Sequence, residues 1–219
     1  MTIKEIHDQI LLILNKETGR YLPPEEIDEL LDAAQMQEFS LLIGNEREYP
    51  NPRIGYGKLE KINQALNPFK RVATINGPET TLPADALYVL TPFMFANTEV
   101  DLVDTNELVY RLDSEIVPPT DEAPIVHLIS NAQGDKIVEV YPSGTQNIKA
   151  YYFARPPQPV FGYTQTGRAV TYDPGTSVQM LWDDLSMQRI IQRALAIAGV
   201  NLAAPGVTQY NEGKQQTGT

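Results

Sequence analysis

The side chains that most often carry catalysis or bind metals are sparse in this sequence of 219 residues. It contains two histidines, His7 and His127, and no cysteine. The lack of cysteine excludes disulfides, thiolate zinc sites and a cysteine nucleophile. Neither histidine has a second metal-binding side chain at helix or hairpin spacing. A single histidine beside Ile and Val is typical of a buried structural group, so we predict that role for both.

Carboxylates are plentiful, and their pairing is the pattern that general acid–base catalysis and glycoside hydrolysis use. The pairs are Asp101 with Asp104, Asp113 with Glu115, Asp121 with Glu122, and Asp183 with Asp184. Adjacent residues of a strand point to opposite faces, and the other pairs lie in sequences typical of turns and helix caps. Solvated turns and caps therefore explain the pairs.

Other catalytic motifs are missing or incomplete. The sequence GYGK at residues 55–58 lacks the second half of a phosphate-binding loop, and no strand precedes it. There is no Gly-x-Ser-x-Gly elbow and no calcium-loop spacing. We therefore predict that the chain is not an enzyme and binds no cofactor or metal, although paired carboxylates meeting in one cleft would reverse that prediction.

The composition indicates an acidic globular protein. Hydrophobic residues make up 42% and charged residues 21%, and the formal net charge is −11. So acidic a chain is unsuited to binding phosphate backbones, but it would suit a surface past which nucleic acid slides. No run reaches the ~18 apolar residues of a membrane span, and charged residues interrupt the apolar N-terminal positions. We expect a soluble chain without a signal peptide.

The elements that must position any site begin with a helical region, residues 1–68. Apolar residues recur every three or four positions from residue 3 to 14, and Thr2 with Glu5 has the spacing of a capping box. A second helix begins at a Pro-Pro-Glu-Glu sequence and is predicted to end at Gly44. A proline-rich break separates it from a third, short helix.

Residues 69–182 change period and predict an antiparallel β-domain of five or six strands. Short runs rich in Val, Ile, Tyr and Phe alternate with turn signals such as Asn76-Gly77 and Gln133-Gly134. The run at residues 100–114 is predicted as one of the strands. The strand at residues 151–154 ends in a segment containing Pro156, Pro157 and Pro159, which predicts a stiff, extended corner.

A C-terminal helix follows at residues 183–202 and is predicted to pack back on the fold. Asp183 or Asp184 is the predicted cap and Gly199 the predicted stop. Residues 203–219 are polar and contain several glycines, which predicts either a flexible tail or an arm that orders on a partner. The predicted fold class is α+β: an N-terminal helical segment, a central β-domain, a C-terminal helix and an extended polar tail.

The second half of the sequence resembles a family of tailed-phage virion proteins, found especially in crAss-like podoviruses that infect Bacteroidetes. The resemblance covers roughly residues 85–210. Its marks occur in order and are Pro119-Thr120, Pro124-Ile125, Val140-Tyr141-Pro142, the segment from Tyr152 to Tyr163, and Tyr172-Asp173 leading to Ser177.

This resemblance implies a structural protein of the head–tail connector or neck, assembled as a closed ring of twelve copies around the DNA channel. The implied partners are the portal protein and other neck or tail proteins, with DNA passing nearby without sequence-specific binding and no membrane. The implied location is the head–tail junction of the virion, after synthesis in the cytoplasm of the host bacterium.

The predicted subunit or partner interface consists of aromatic side chains near the proline corner and one arginine, which are types found at binding hot spots. The candidates are Tyr152, Arg155, Phe161, Tyr163 and, in the tail, Tyr210. Packing inside the β-domain is the alternative for each, since alternation puts Tyr152 on the opposite face from its neighbours. An alternative function is a β-module that binds host glycan or another virion protein; a glycan-binding surface would expose Trp182.

Overall fold

A computed structural model describes residues 1–17, 22–48, 56–166 and 169–199. The chain divides into two compact units: unit 1 comprises Met1–Pro68 with the chain from Pro156 onward, and unit 2 is Phe69–Arg155. Unit 2 is thus a continuous segment inserted into unit 1. The sequence pattern places the end of the β-domain at residue 182, whereas unit 2 ends at the proline corner.

The described elements confirm the α+β fold class. In chain order they are α1 (Ile3–Glu17), α2 (Pro24–Glu48), α3 (Tyr56–Leu66), a 3-10 turn (Asn67–Phe69), β1 (Lys70–Ile75), β2 (Glu79–Thr81), β3 (Ala86–Phe95), β4 (Thr98–Val103), α4 (Thr105–Leu112), β5 (Ile125–Ser130), β6 (Lys136–Tyr141), β7 (Ile148–Ala154), β8 (Tyr163–Thr166), β9 (Ala169–Tyr172) and α5 (Asp184–Ile197).

The start of α1 is the predicted capping box. The backbone N–H of Thr2 donates to Oε2 of Glu5 at 2.8 Å, and the N–H of Glu5 donates to Oγ1 of Thr2 at 3.3 Å. These bonds satisfy two N–H groups that the first turn leaves without helical partners. The apolar stripe of the helix is buried as predicted, at Ile3, Ile6, Ile10 and Leu14.

The predicted end of α2 is wrong, because the helix runs through Gly44 to Glu48. A helical glycine costs about 1 kcal/mol relative to alanine. The buried face continues beside it with Phe39, Leu42 and Ile43. Burial of these side chains outweighs the local preference of one glycine.

Unit 2 is built on a seven-stranded sheet with the order β1-β7-β3-β4-β5-β6-β2. Five of its six strand pairs are antiparallel, but β4 and β5 are parallel, with Val103 opposite His127. The sheet is therefore mixed and larger than the purely antiparallel one predicted. Its core is formed by buried side chains that include Phe93, Val126, Val138 and Ile148.

The parallel pair explains why residues 100–114 are not one strand. Parallel neighbours need a crossover, and α4 provides it between β4 and β5. Asp104 caps this helix, because its Oδ1 accepts the backbone N–H of Glu107 at 2.8 Å. Asp104 thus has one of the two roles, turn or cap, predicted for the carboxylate pairs, whereas the strand predicted over residues 100–114 ends at Val103.

The last helix has a predicted cap and the predicted stop, and at Asp184–Ile197 it is shorter than the predicted 183–202. Asp183 is the N-cap of α5, and Gly199 follows the helix with a φ of 73°, a left-handed conformation that favours glycine. Before it, Val160 and Val178 form an isolated bridge. Tyr163–Thr166 and Ala169–Tyr172 pair as a small hairpin that the sequence pattern missed.

Two polar residues of α2 hold α5 and its preceding segment within unit 1. Glu38 is 2% exposed, forms an ion pair with Nη1 of Arg189 at 3.0 Å and accepts a hydrogen bond from Nε of Arg193 at 3.0 Å. Gln35 is fully buried, and its Oε1 accepts the indole N–H of Trp182 at 3.3 Å. The predicted packing of the C-terminal helix therefore occurs against α2.

Candidate interaction surfaces

The proline corner is attached to the helices of unit 1. The side-chain amide of Gln35 donates to the carbonyl of Pro157 at 3.0 Å, and Pro156 and Pro159 are buried. A second attachment comes from Asp28, whose Oδ2 accepts the backbone N–H of Phe161 at 2.9 Å. The corner is therefore fixed at both ends by side chains of α2.

His7 completes this attachment from α1. Its Nε2 lies 2.9 Å from Oδ1 of Asp28, and its ring stacks on Phe161 with centroids 4.4 Å apart and 22° between planes. Both oxygens of Asp28 are thus used, one by each neighbour. His7 is buried, and its role is the structural one predicted from its apolar surroundings.

The aromatic side chains of the corner make further contacts inside unit 1. The ring of Phe161 lies 5.0 Å from that of Tyr172, and the hydroxyl of Tyr163 donates to the carboxylate of Glu25. This hydrogen bond lowers the pKa of Glu25, since it favours the charged carboxylate. Phe161 and Tyr163 are half-buried, so part of each ring remains accessible to a partner.

Gly162 permits the close packing of this corner. A Cβ at this position would lie 2.2 Å from Oγ1 of Thr176, 2.7 Å from its carbonyl carbon and 2.8 Å from the carbonyl oxygen of Asp173. The backbone N–H of Gly162 also donates to Oγ of Ser177 at 3.0 Å. Any other residue must push the corner away from the segment at residues 173–177.

We expect Gly162→Ala to lower the free energy of unfolding by about 2 kcal/mol or more, because two of the contacts are with backbone atoms. Gly44→Ala is the matched control in the same unit. Nothing lies within 4 Å of its added Cβ, so alanine in this helix should raise stability by about 0.5–1 kcal/mol. Urea unfolding followed by tryptophan fluorescence measures both. Equal effects would contradict the packing described.

The five candidate interface residues have different environments. Tyr152 is 4% exposed and packs in the core of unit 2, so its placement on an interface is wrong. Burial raises its pKa, and the nearby charge of Asp85 raises it further. Arg155 is exposed, and its backbone N–H donates to the carbonyl of Asp85 at 2.7 Å. Tyr210 lies outside the described residues.

Alternation correctly separates the faces of β7 but does not say which one is core. Ala150, Tyr152 and Ala154 share the face that packs into the sheet core, and on the opposite face Tyr151 is half-buried while Phe153 is buried. Arg155, Phe161 and Tyr163 remain the candidates with accessible surface.

His127 connects three elements of unit 2. Its Nδ1 lies 2.9 Å from Oε2 of Glu139 on β6, and its Nε2 lies 3.1 Å from Oγ1 of Thr105 at the start of α4. This hydroxyl–imidazole–carboxylate order also occurs where a hydroxyl is activated as a nucleophile. The carboxylate of Asp104, however, caps the same helix end, where an oxyanion would need N–H donors. We interpret the bonds as fixing α4 to the sheet.

The carboxylate pairs are used mainly as caps and ion pairs. Asp104 and Asp183 are N-caps, and Asp101 accepts from Nη2 of Arg111 at 3.2 Å. Within the described ranges no three or more His, Asp or Glu side chains lie close enough together to hold a metal ion. No helix among the same residues is long and apolar enough to cross a membrane.

An exposed group of large apolar side chains follows β4 in unit 2. We call it the α4 apolar patch, and it consists of Val109, Tyr110, Leu112, Ile116 and Val117. Tyr110 is 78% exposed and Ile116 is 90% exposed. Oγ of Ser114 accepts the backbone N–H groups of Ile116 and Val117 at 3.3 and 3.1 Å, so the turn holds them in this position.

A cleft of about 230 Å³ adjoins the patch. Val117, Pro118 and Pro119 line one part of it, and Glu99, Asp101 and Arg111 line another. Sequence reasoning missed the patch because it assigned residues 100–114 to a strand and gave no role to Ile116 and Val117.

No protein-family model matches this chain, and no curated protein matches it closely enough to be counted as a relative.

Proposed function

We propose that this chain is a structural virion protein that forms an oligomeric ring in the head–tail connector or neck of a tailed phage. The ring adjoins the portal protein and surrounds the channel through which DNA passes. The subunit acts by contact with other proteins, and DNA passes it without sequence-specific binding.

The observation that supports this proposal best is the α4 apolar patch. Its five large apolar side chains are exposed within nine residues of an acidic segment, and exposed apolar groups of this kind are typical of protein–protein contact sites. The turn that presents Ile116 is held by hydrogen bonds, so its exposure is built into the fold. A surface that must be covered by protein is what an assembly subunit needs.

Charge supports the same proposal. The formal net charge of −11 opposes adhesion to phosphate backbones. A channel wall of this sign would let DNA move without being retained. Within unit 1, Gln35 and Asp28 fix the proline corner to α2.

The glycan-binding alternative expects Trp182 to be exposed for stacking on a sugar, and Trp182 is buried. Trp182 is 4% exposed, donates its indole N–H to Gln35 and packs edge-on against Phe39 with ring centroids 6.3 Å apart. It is therefore used within unit 1. A sugar platform would have to be built from other side chains.

Quantitative mass spectrometry of purified virions from a phage that encodes this chain tests the proposal. We expect its peptides at a fixed ratio to those of the portal protein, with twelve copies in each connector. Cryo-electron microscopy of the same particles should place its density at the head–tail junction. Absence of the chain from virions, or its presence only in tail fibres, would overturn the proposal.

A further inference from the structure

Unit 2 contains one continuous acidic segment, residues 99–122, in which Asp101 and Glu107 pair with Arg111 and Asp104 caps α4. This segment contains Arg111 as its only basic residue and eight carboxylates, which are Glu99, Asp101, Asp104, Glu107, Asp113, Glu115, Asp121 and Glu122. All eight belong to exposed residues. The α4 apolar patch lies within the same segment. The segment therefore combines exposed apolar area with strong negative charge, and its complement must be apolar and basic.

The same unit carries such a complement at β1. This strand stands at one end of the sheet order, so one of its backbone edges has no partner strand within unit 2. Lys70 and Arg71 begin the strand, Val72 is 51% exposed, and Lys149 lies opposite Thr74 on β7. Exposed edge strands are ready sites for pairing with another chain.

We propose that the basic edge of β1 in one copy of the chain docks on the acidic segment and α4 apolar patch of a second copy. Charge complementarity selects this occupant, because the chain carries both halves of the contact. The proposal deepens the ring function and gives it a subunit contact. The contact itself is argued from unit 2, and only the statement that it closes a ring rests on the proposed function.

The two surfaces differ, so the contact is heterologous. Such contacts repeat head to tail, and they close into a ring or continue as a filament, whereas a self-matching surface would stop at a dimer. Arg71 pairs with Asp85 at 2.8 Å, so Lys70 and Lys149 carry the positive charge of the contact. Nucleic acid is a poorer occupant of this edge, since the net charge of the chain is −11.

The contact is tested with charge-reversing substitutions in the chain of 219 residues. Self-association is measured by sedimentation velocity at roughly 1–200 µM protein and low salt. Lys70→Glu with Lys149→Glu should weaken self-association about tenfold or more, because like charges then face each other. Asp113→Lys with Glu115→Lys should weaken it similarly. A chain with all four substitutions should regain most of the lost association, since the two halves again have opposite sign.

The matched control is Lys4→Glu with Lys61→Glu, two exposed lysines on α1 and α3 of unit 1. It makes the same change in net charge and should leave association unchanged. Three results would overturn the contact. The variant with all four substitutions could fail to recover self-association, or the control could lose as much self-association as the test variants. The wild-type chain could also stay monomeric over the whole concentration range. The contact would also be overturned if substitutions in the basic edge reduced DNA binding and left self-association unchanged. These experiments do not measure whether the chain is present in virions, so they test the subunit contact separately from the proposed function.

Discussion

Replacing both Arg189 and Arg193 by alanine should lower the free energy of unfolding by about 3–5 kcal/mol. Glu38, the side chain they contact, is 2% exposed and forms an ion pair with each of them. Removing both leaves a buried carboxylate without a compensating charge, which is among the costliest changes in a protein interior. The single variants should cost less, because one arginine remains to pair with the carboxylate.

The control is the same double variant with Glu38→Gln added. Glutamine has no charge to compensate, so we expect at least half of the lost stability to return. Urea unfolding followed by the fluorescence of Trp182, the only tryptophan, reports on unit 1. If the triple variant is no more stable than the double, loss of packing, not the unpaired charge, is the cause.

Asp28→Ala is expected to lower the free energy of unfolding by about 2–4 kcal/mol. The carboxylate pairs with Nε2 of His7 and accepts the backbone N–H of Phe161, both at 2.9 Å. Alanine leaves two buried polar groups without partners, at about 1–3 kcal/mol each before relaxation. The loss should also release the proline corner, which increased proteolysis between residues 155 and 163 would report.

Two substitutions calibrate this effect. Asp28→Asn keeps an acceptor for one neighbour and should cost roughly half as much as alanine. Glu29→Ala changes an exposed residue on the same helix and should stay within about 0.5 kcal/mol of the wild type. Equal losses for Asn and Ala would show that charge, and not the number of hydrogen bonds, holds the corner.

Features that depend on neighbours in sequence could be predicted. The capping box of α1, the Asp183 cap and the Gly199 stop each involve groups within a few residues. The sequence identified the box and the stop, and it narrowed the cap to Asp183 or Asp184. The boundary at residue 68 is marked by a proline and a change of period. Local chemistry sets these features wherever the chain packs.

Features that depend on partners distant in sequence could not be predicted. Gln35 looks like a solvent-facing residue of α2, yet it is buried because its amide reaches both Pro157 and Trp182 far along the chain. Residues 100–114 look like a strand, and the pairing of β4 with β5 requires a helix there. The candidate Tyr152 was misplaced for the same reason, since alternation defines two faces without saying which one is core.

The insertion of unit 2 into unit 1 has a consequence for the order of folding on the ribosome. Residues 69–155 form one continuous segment, and its first and last strands pair with each other, so this unit is complete once Ala154 has emerged. Unit 1 must wait, because α2 ends at Glu48, 108 residues before the corner begins at Pro156 and 136 residues before α5 begins at Asp184. At 5–20 residues per second, the synthesis of those 108 residues alone takes roughly 5–22 s. During this delay the apolar faces of α1 and α2 are accessible to chaperones, and Glu38 lacks its ion-pair partners Arg189 and Arg193.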